Sequence, residues 1–144
     1  MTTTKKLFLT IALAIASSMA CTLFAQKPVT LPKDNGPVIS QEEGMTIINT
    51  SSLAEDVEGY AGPTPLKIFI KKDKIEKIEP LRNLETPKYF ALIKRDLLGK
   101  WNGLTVKKAA KQQVDAITGA TYSSEAVIEN VRRGLDFYTK KGKK

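Results

Sequence analysis

Histidine is absent from this sequence, and cysteine occurs once, at Cys21. The first absence excludes imidazole acid–base catalysis, histidine-ligated zinc and histidine-held haem. The second excludes an internal disulfide and any thiolate cluster. The apolar run Leu7 to Ala20 is too short and too Ser-flanked for a comfortable membrane span. Acidic residues are also in deficit, 15 Asp and Glu against 23 Lys and Arg, which leaves a formal charge of +8. What remains for chemistry is hydroxyls, carboxylates, lysines or a bound cofactor. The 144 residues suit one domain, and 42% hydrophobic with 26% charged residues is the composition of a packed core.

The N-terminus reads as a targeting segment. Lys5 and Lys6 precede the apolar stretch LFLTIALAIASSMA, Leu7 to Ala20, in the pattern of a secretory signal. Cleavage after Ala25, giving residues 1–25 as signal peptide, competes with lipidation at Cys21, which would attach the chain to a membrane. Met19 fits the lipoprotein pattern poorly and favours cleavage. Either route places the protein outside the cytoplasm, in the periplasm or on the outer face of the membrane. Residues 26–37, QKPVTLPKDNGP, carry three prolines and read as an extended leader. The terminal KKGKK, residues 140–144, reads as a solvated basic tail, with anionic lipid or an acidic redox partner as its sharper use. No aromatic-interleaved basic stripe points to nucleic acid.

A short strand is expected within Met45–Leu53, then a loop through EGYAGPTPL. The clearest hairpin follows, in LKIFIKKDKIEKIEP. Ile68 and Ile70 share one face, with Lys67, Phe69 and Lys71 on the other, and Lys72-Asp73 forms the turn. The three-residue spacing of Ile75 and Ile78 breaks alternation and points to a bulge. Pro80 closes the hairpin. Thr86 and Pro87 mark a helix start, with Phe90, Ile93, Leu97 and Leu98 at helical spacing and Gly99 as C-cap. Trp101 reads as a core or edge plug. A short helix is expected near Thr105–Gln113 and a brief strand at VDAI, residues 114–117. The last helix runs from about Ser123 to Tyr138 on a stripe of Val127, Val131, Leu135 and Tyr138. The expected class is α+β: a small antiparallel sheet with a central hairpin and helices packed on one side.

The stretch DAITGATYSSEAV, Asp115 to Val127, carries the chemistry. A helix start leaves backbone N–H groups unpaired, and its dipole favours an anion there. Gly119 lets a ligand approach the backbone, Ala120 keeps the surface low, and Thr118, Thr121, Ser123 and Ser124 supply hydroxyls. These features describe a phosphate site, although Ser or Thr capping a helix after a glycine turn is common without any ligand.

The order D-A-I-T-G-A-T-Y-S-S resembles the signature of the FMN-binding domain family. That signature occurs in flavin-carrying components of the sodium-pumping NADH:quinone reductase and of the related Rnf electron-transport complex, and in small exported bacterial proteins. GYAGP (Gly59, Tyr60, Ala61, Gly62, Pro63) resembles the family's Gly-Tyr-Gly-Gly-Pro loop, and Glu85-Thr86-Pro87 resembles its Glu-Thr-Pro-Gly element beside the flavin ring. The resemblance implies FMN as cofactor of a domain at 38–139, held through a phosphoester on Thr121 that a separate, FAD-using flavin transferase installs. Asp115, Thr118, Gly119, Ala120, Tyr122, Ser123, Gly59, Tyr60, Gly62, Pro63, Glu85 and Thr86 would complete the cofactor site, with Glu85 and Thr86 near the flavin ring. Within that set, Asp115 would cap amides of the turn, or hold metal during transfer. Tyr60 would stack on flavin or anchor its loop, and Glu85 would hydrogen-bond the ring or simply precede a helix. The chain departs from the pattern at Lys88-Tyr89-Phe90, where the family often has Gly-x-Gly.

These readings point to a one-domain electron carrier rather than a catalyst, exchanging electrons with membrane or exported redox partners. A flavin-dependent reductase of a small substrate and a cofactor-free surface binding module are the alternatives.

Overall fold

A computed structural model describes residues 29–142. The signal segment, Cys21 and the last two residues of the basic tail lie outside them.

Four strands form one antiparallel sheet in chain order: β1 (Ile39–Glu42), β2 (Met45–Asn49), β3 (Leu66–Lys71) and β4 (Lys74–Pro80). The β1–β2 pair is a hairpin that patterning did not predict, because β1 has only four residues. Its turn residues Glu43 and Gly44 have φ of 50° and 75°, as a two-residue hairpin turn matched to strand twist requires. The β3–β4 hairpin turns at Lys72 and Asp73 as expected, with φ of 48° and 60°. The bulge is also where the isoleucine spacing places it. Phe69 pairs with Lys77 and Ile70 with Ile75, so Glu76 is the extra residue. That insertion keeps both Ile75 and Ile78 on the buried face.

Phe69 points away from Ile68 and Ile70, as alternation demands, yet it too is buried. It lies opposite Ile47, under the ammonium of Lys77, which sits 4.4 Å from its ring centroid. The chain entering β1 is tied to the sheet. Asp34 accepts from Asn49 Nδ2 (3.2 Å) and from Gly36 N–H (2.8 Å).

The helices cover the other face. Helix α1 (Pro87–Leu92) starts at Thr86 and Pro87 as predicted, though the Thr86 side chain makes no capping bond. It does not end at Gly99. The chain continues through a π-helical turn, Ile93–Leu97, into a 3₁₀ turn, Leu98–Trp101, and stops beyond Asn102 at Gly103, where φ is +78°. Widening and then tightening the helix keeps Phe90, Ile93, Leu97, Leu98 and Trp101 all buried, which no single period would do. Helix α2 (Val106–Ala109) is capped by Thr105, whose hydroxyl accepts from Lys108 N–H (3.3 Å).

The strand expected at 114–117 does not form; residues 112–117 are irregular. The start of the outer edge of β4 pairs instead with residues 103–106: Ile75 N–H donates to Leu104 O, Val106 N–H to Asp73 O, and Gly103 N–H to Ile75 O.

Helix α3 (Thr121–Phe137) buries the predicted stripe: Val127, Val131, Leu135 and then Tyr138. It packs closely on the sheet at Gly134, where a Cβ would stand 2.6 Å from Ile68 Cδ1 and 3.1 Å from Thr50 Cγ2. Beside that contact Thr50 Oγ1 donates to Asn130 Oδ1 (2.5 Å) and accepts from Leu66 N–H (2.9 Å). At the far end, burial first and then the charge and hydrogen bond of Asp73 raise the Tyr138 pKa.

On the solvent side Arg133 reaches Glu129 (2.8 Å), Asp56 (2.5 Å) and the carbonyl of Leu53 (3.2 Å), joining the loop after β2 to α3. Hydrogen bonds from Arg132 and then Arg133 lower the Glu129 pKa from 4.5 to about 2. A depressed carboxylate pKa contributes stability above the unfolded value and loses it as pH falls through the folded one. Denaturant midpoints should therefore drop between pH 4.5 and about 2, and Glu129→Gln should flatten part of that drop while lowering stability at neutral pH. Solvent screening keeps the effect modest. An unchanged acid limb in the variant would contradict it.

Candidate functional site

The turn before α3 is built by its own side chains. Ile117 O accepts from Ala120 N–H (2.9 Å), and Gly119 takes φ of +87°, a left-handed conformation that favours glycine. Ser124 then fastens the turn: its hydroxyl accepts from Ile117 N–H (3.0 Å) and donates to Ala120 O (2.7 Å). Asp115 does not have the capping role expected of it. It is exposed and makes no hydrogen bond among the described residues, because the buried Ser124 reaches the amide first. No group of acidic residues there could hold a metal ion, among the described residues.

The helix begins at Thr121, two residues earlier than its apolar stripe suggested. Ala120 occupies the N-cap position with φ of −137° and no side-chain cap, and the first turn holds no acidic residue. The leading amides of a 17-residue helix are thus open at their positive end. Thr118, Gly119, Thr121 and Tyr122 are exposed around them, while Ala120, Ser123 and Ser124 are buried. Nothing lies within 4 Å of where a Gly119 Cβ would project. The Thr121 hydroxyl has no hydrogen-bond partner among the described residues.

The GYAGP loop and Glu85 meet this helix start directly. Glu85 is 7% exposed. Its Oε1 accepts from Ala61 N–H (3.0 Å), and its Oε2 accepts from the hydroxyl of Ser123. Its own N–H donates to Asn83 Oδ1 (3.1 Å). One carboxylate therefore joins the three stretches that the sequence singled out. Hydrogen bonds to a charged acceptor contribute about 1.5–3 kcal/mol each, which offsets part of the cost of burying it. Gly59 lies against the same group. A Cβ there would collide with Glu85 Oε1 and sit 3.1 Å from Thr64 Cγ2. The loop closes through Gly59 N–H to Gly62 O (2.8 Å) and a bridge between Glu58 and Pro63, with Gly62 at φ +137°.

Tyr60 is 75% exposed and does not anchor its loop by packing; Tyr122 is 68% exposed. Thr86 and Pro63 are exposed as well. Glu85 lines a groove of about 320 Å³ together with Arg82, Asn83, Pro87, Phe90 and Lys94. Neither Arg82 nor Lys94 forms an ion pair among the described residues. Sequence reasoning passed over Asn83, Arg82 and Lys94. Asn83 carried a signal, an Asn two residues ahead of a helix-entry Glu, which favours an Asx turn. Arg82 and Lys94 carried none, since a β-strand exit and a π turn bring them together.

A protein-family model, the FMN-binding domain, matches residues 59–136. The chain belongs to the FMN-binding domain family. No curated protein and no solved structure matches it. The match opens at Gly59 and closes within α3, so it encloses the GYAGP loop, Glu85 and the whole turn before the helix. FMN is the cofactor of such a domain. The residues of this FMN-binding domain fit a phosphate in four respects: uncapped amides, no carboxylate in the first helical turn, a left-handed glycine with free space beside it, and an exposed hydroxyl at the first helical position. Among the described residues of this FMN-binding domain, no helix is long and apolar enough to cross a membrane.

Proposed function

We propose that this FMN-binding protein is an electron carrier whose FMN is joined to Thr121 by a phosphoester and which works outside the cytoplasmic membrane. The observation that carries the reading is Thr121 itself: an exposed hydroxyl on the first residue of α3, beside open amides and the space left by Gly119. A phosphodiester there retains one negative charge, and the helix end would stabilise it by about 0.3–1 kcal/mol.

No base hydrogen-bonds the Thr121 hydroxyl among the described residues, so the chain is the substrate of a flavin transferase rather than its own catalyst. Thr121 Oγ1 attacks the FMN phosphorus of FAD. The new O–P bond forms as the P–O–P anhydride breaks, AMP leaves, and the hydroxyl proton passes to a base on the transferase. The joined group supplies reversible one- and two-electron transfer. Around it the chain orients and shields: Tyr60 and Tyr122 offer ring faces, and Glu85 with Asn83 shapes the loop between them. Tethering prevents loss of the cofactor from an exported carrier, and export rests on the signal pattern of residues 1–25.

Co-expression with a flavin transferase tests the attachment and the N-terminal processing in one mass spectrum. The expected product is heavier than the bare chain by FMN less one water, with the increment on the peptide containing Thr121. A chain beginning at Gln26 supports cleavage after Ala25, and a lipid increment on Cys21 supports anchoring instead. An unmodified mass would overturn covalent attachment.

The groove beside Glu85 favours one further reading, a flavin-dependent reductase of a small anionic molecule, because Arg82 and Lys94, two cations without ion pairs among the described residues, line it. Steady-state oxidation of the reduced protein by a panel of small carboxylates separates the two. Saturable turnover supports the reductase, and its absence supports the carrier.

A further inference from the structure

We propose that Glu85 is a positioning residue: its buried carboxylate sets where the Tyr60 loop stands relative to Thr121, and so governs both flavin attachment and how firmly the attached flavin is held. This rests on the attachment of FMN to Thr121.

Glu85 is almost wholly buried and meets no cation among the described residues. A carboxylate in such a place is costly, and an apolar residue of similar volume would serve packing alone at least as well. What the carboxylate does that an apolar side chain cannot is accept two bonds at once from separate parts of the chain. The Ala61 amide lies 24 residues before it and the Ser123 hydroxyl 38 residues after it. The first belongs to the residue next to Tyr60, and the second to the residue two beyond Thr121. Both Tyr60 and Thr121 remain exposed on either side of the buried joint. The clamp therefore fixes the separation between a solvent-facing aromatic ring and the attachment hydroxyl without occupying the space between them.

Gly59 corroborates the tightness of the joint. Its φ is ordinary, so backbone freedom does not call for glycine there; the Oε1 of Glu85 does. Asn83 holds the backbone of Glu85 from the other side through its N–H (3.1 Å). The carboxylate is thus held by hydrogen bonds from Ala61 and Ser123 and packs against Gly59, while Asn83 fixes its backbone.

Glutamine at this position preserves the shape of the clamp. Its carbonyl accepts from Ala61 N–H, and its amide donates to Ser123 Oγ. Alanine removes both bonds. Gly59→Ala keeps the carboxylate but displaces it, and Ser123→Ala removes one bond, leaves Glu85 Oε2 without its hydroxyl partner and opens little space.

The test compares the full-length wild type with Glu85→Ala, Glu85→Gln, Gly59→Ala and Ser123→Ala. It reads the initial rate of flavin attachment at limiting transferase and the fluorescence anisotropy of the attached flavin. Glu85→Ala and Gly59→Ala should slow attachment by about tenfold or more, as misplacement of a reacting group does, and should lower the anisotropy of whatever flavin is attached. Glu85→Gln should restore both toward wild type. Should Glu85→Ala fail to fold, Ser123→Ala decides, with the same two changes expected in a folded chain. Wild-type rates and anisotropy in folded Gly59→Ala and Ser123→Ala would overturn the proposal. A wild type that gains no flavin overturns instead the attachment on which it rests, so the two failures are distinct.

Discussion

Thr121→Ala, co-expressed with the transferase, should give a protein whose mass differs from the bare wild-type chain only by the substitution and which is colourless after denaturation. The effect should be complete because the neighbouring aliphatic hydroxyls do not share the exposed first position of α3. Thr118 is exposed but lies before the left-handed Gly119, outside α3; Ser123 is buried against Glu85; and Ser124 is buried with its hydroxyl bonded on both sides. Thr121→Ser keeps the oxygen at the same helical position and should retain attachment, though more slowly, because serine holds its rotamer less rigidly than a β-branched side chain. Since Thr121 is exposed and makes no side-chain bond among the described residues, neither substitution should move the denaturant midpoint appreciably. Flavin found on the Thr121→Ala chain by peptide mapping would rule out the assigned attachment residue.

Trp101→Ala should be the most destabilising single change. Trp101 is 2% exposed and ends the 3₁₀ turn that packs on β4. Truncating a buried tryptophan to alanine costs about 3–5 kcal/mol, from lost apolar burial and from the cavity left behind. A domain of this size has about 5–15 kcal/mol in total, so the variant should be partly unfolded near physiological temperature. Because Trp101 is the only tryptophan, unfolding is followed by far-ultraviolet circular dichroism rather than by indole fluorescence. Trp101→Phe, which retains most of the volume, should cost much less. A denaturant midpoint for Trp101→Ala close to wild type would show that the 3₁₀ turn is not part of the cooperative core.

Much of the fold was legible because it follows local rules. The alternation from Leu66 to Lys71, the turn at Lys72-Asp73 and the three-residue isoleucine spacing correspond to β3, β4 and the bulge at Glu76. The same holds for the start of α1 at Thr86-Pro87 and the buried stripe of α3. Errors arose where a local signal had a competitor. Gly99 looked like a C-cap, but the need to bury Leu97, Leu98 and Trp101 together carried the helical run past it in altered pitch. VDAI had the composition of a strand, but residues 103–106 and not VDAI pair with the start of β4. Asp115 had the chemistry of a cap and was displaced by Ser124, seven residues away from the amide it bonds.

By itself, the sequence determined the family, the α+β class and the cofactor, because each follows from runs whose meaning depends on order and spacing along the chain. Only the tertiary structure decided how those runs meet. That Glu85 reaches both the GYAGP loop and the start of α3, that Gly59 must lack a side chain, and that Arg82 and Lys94 share a groove all depend on distances across the fold. A carboxylate's reach is a few ångström in space, whatever the separation in sequence, and only packing brings its partners within it.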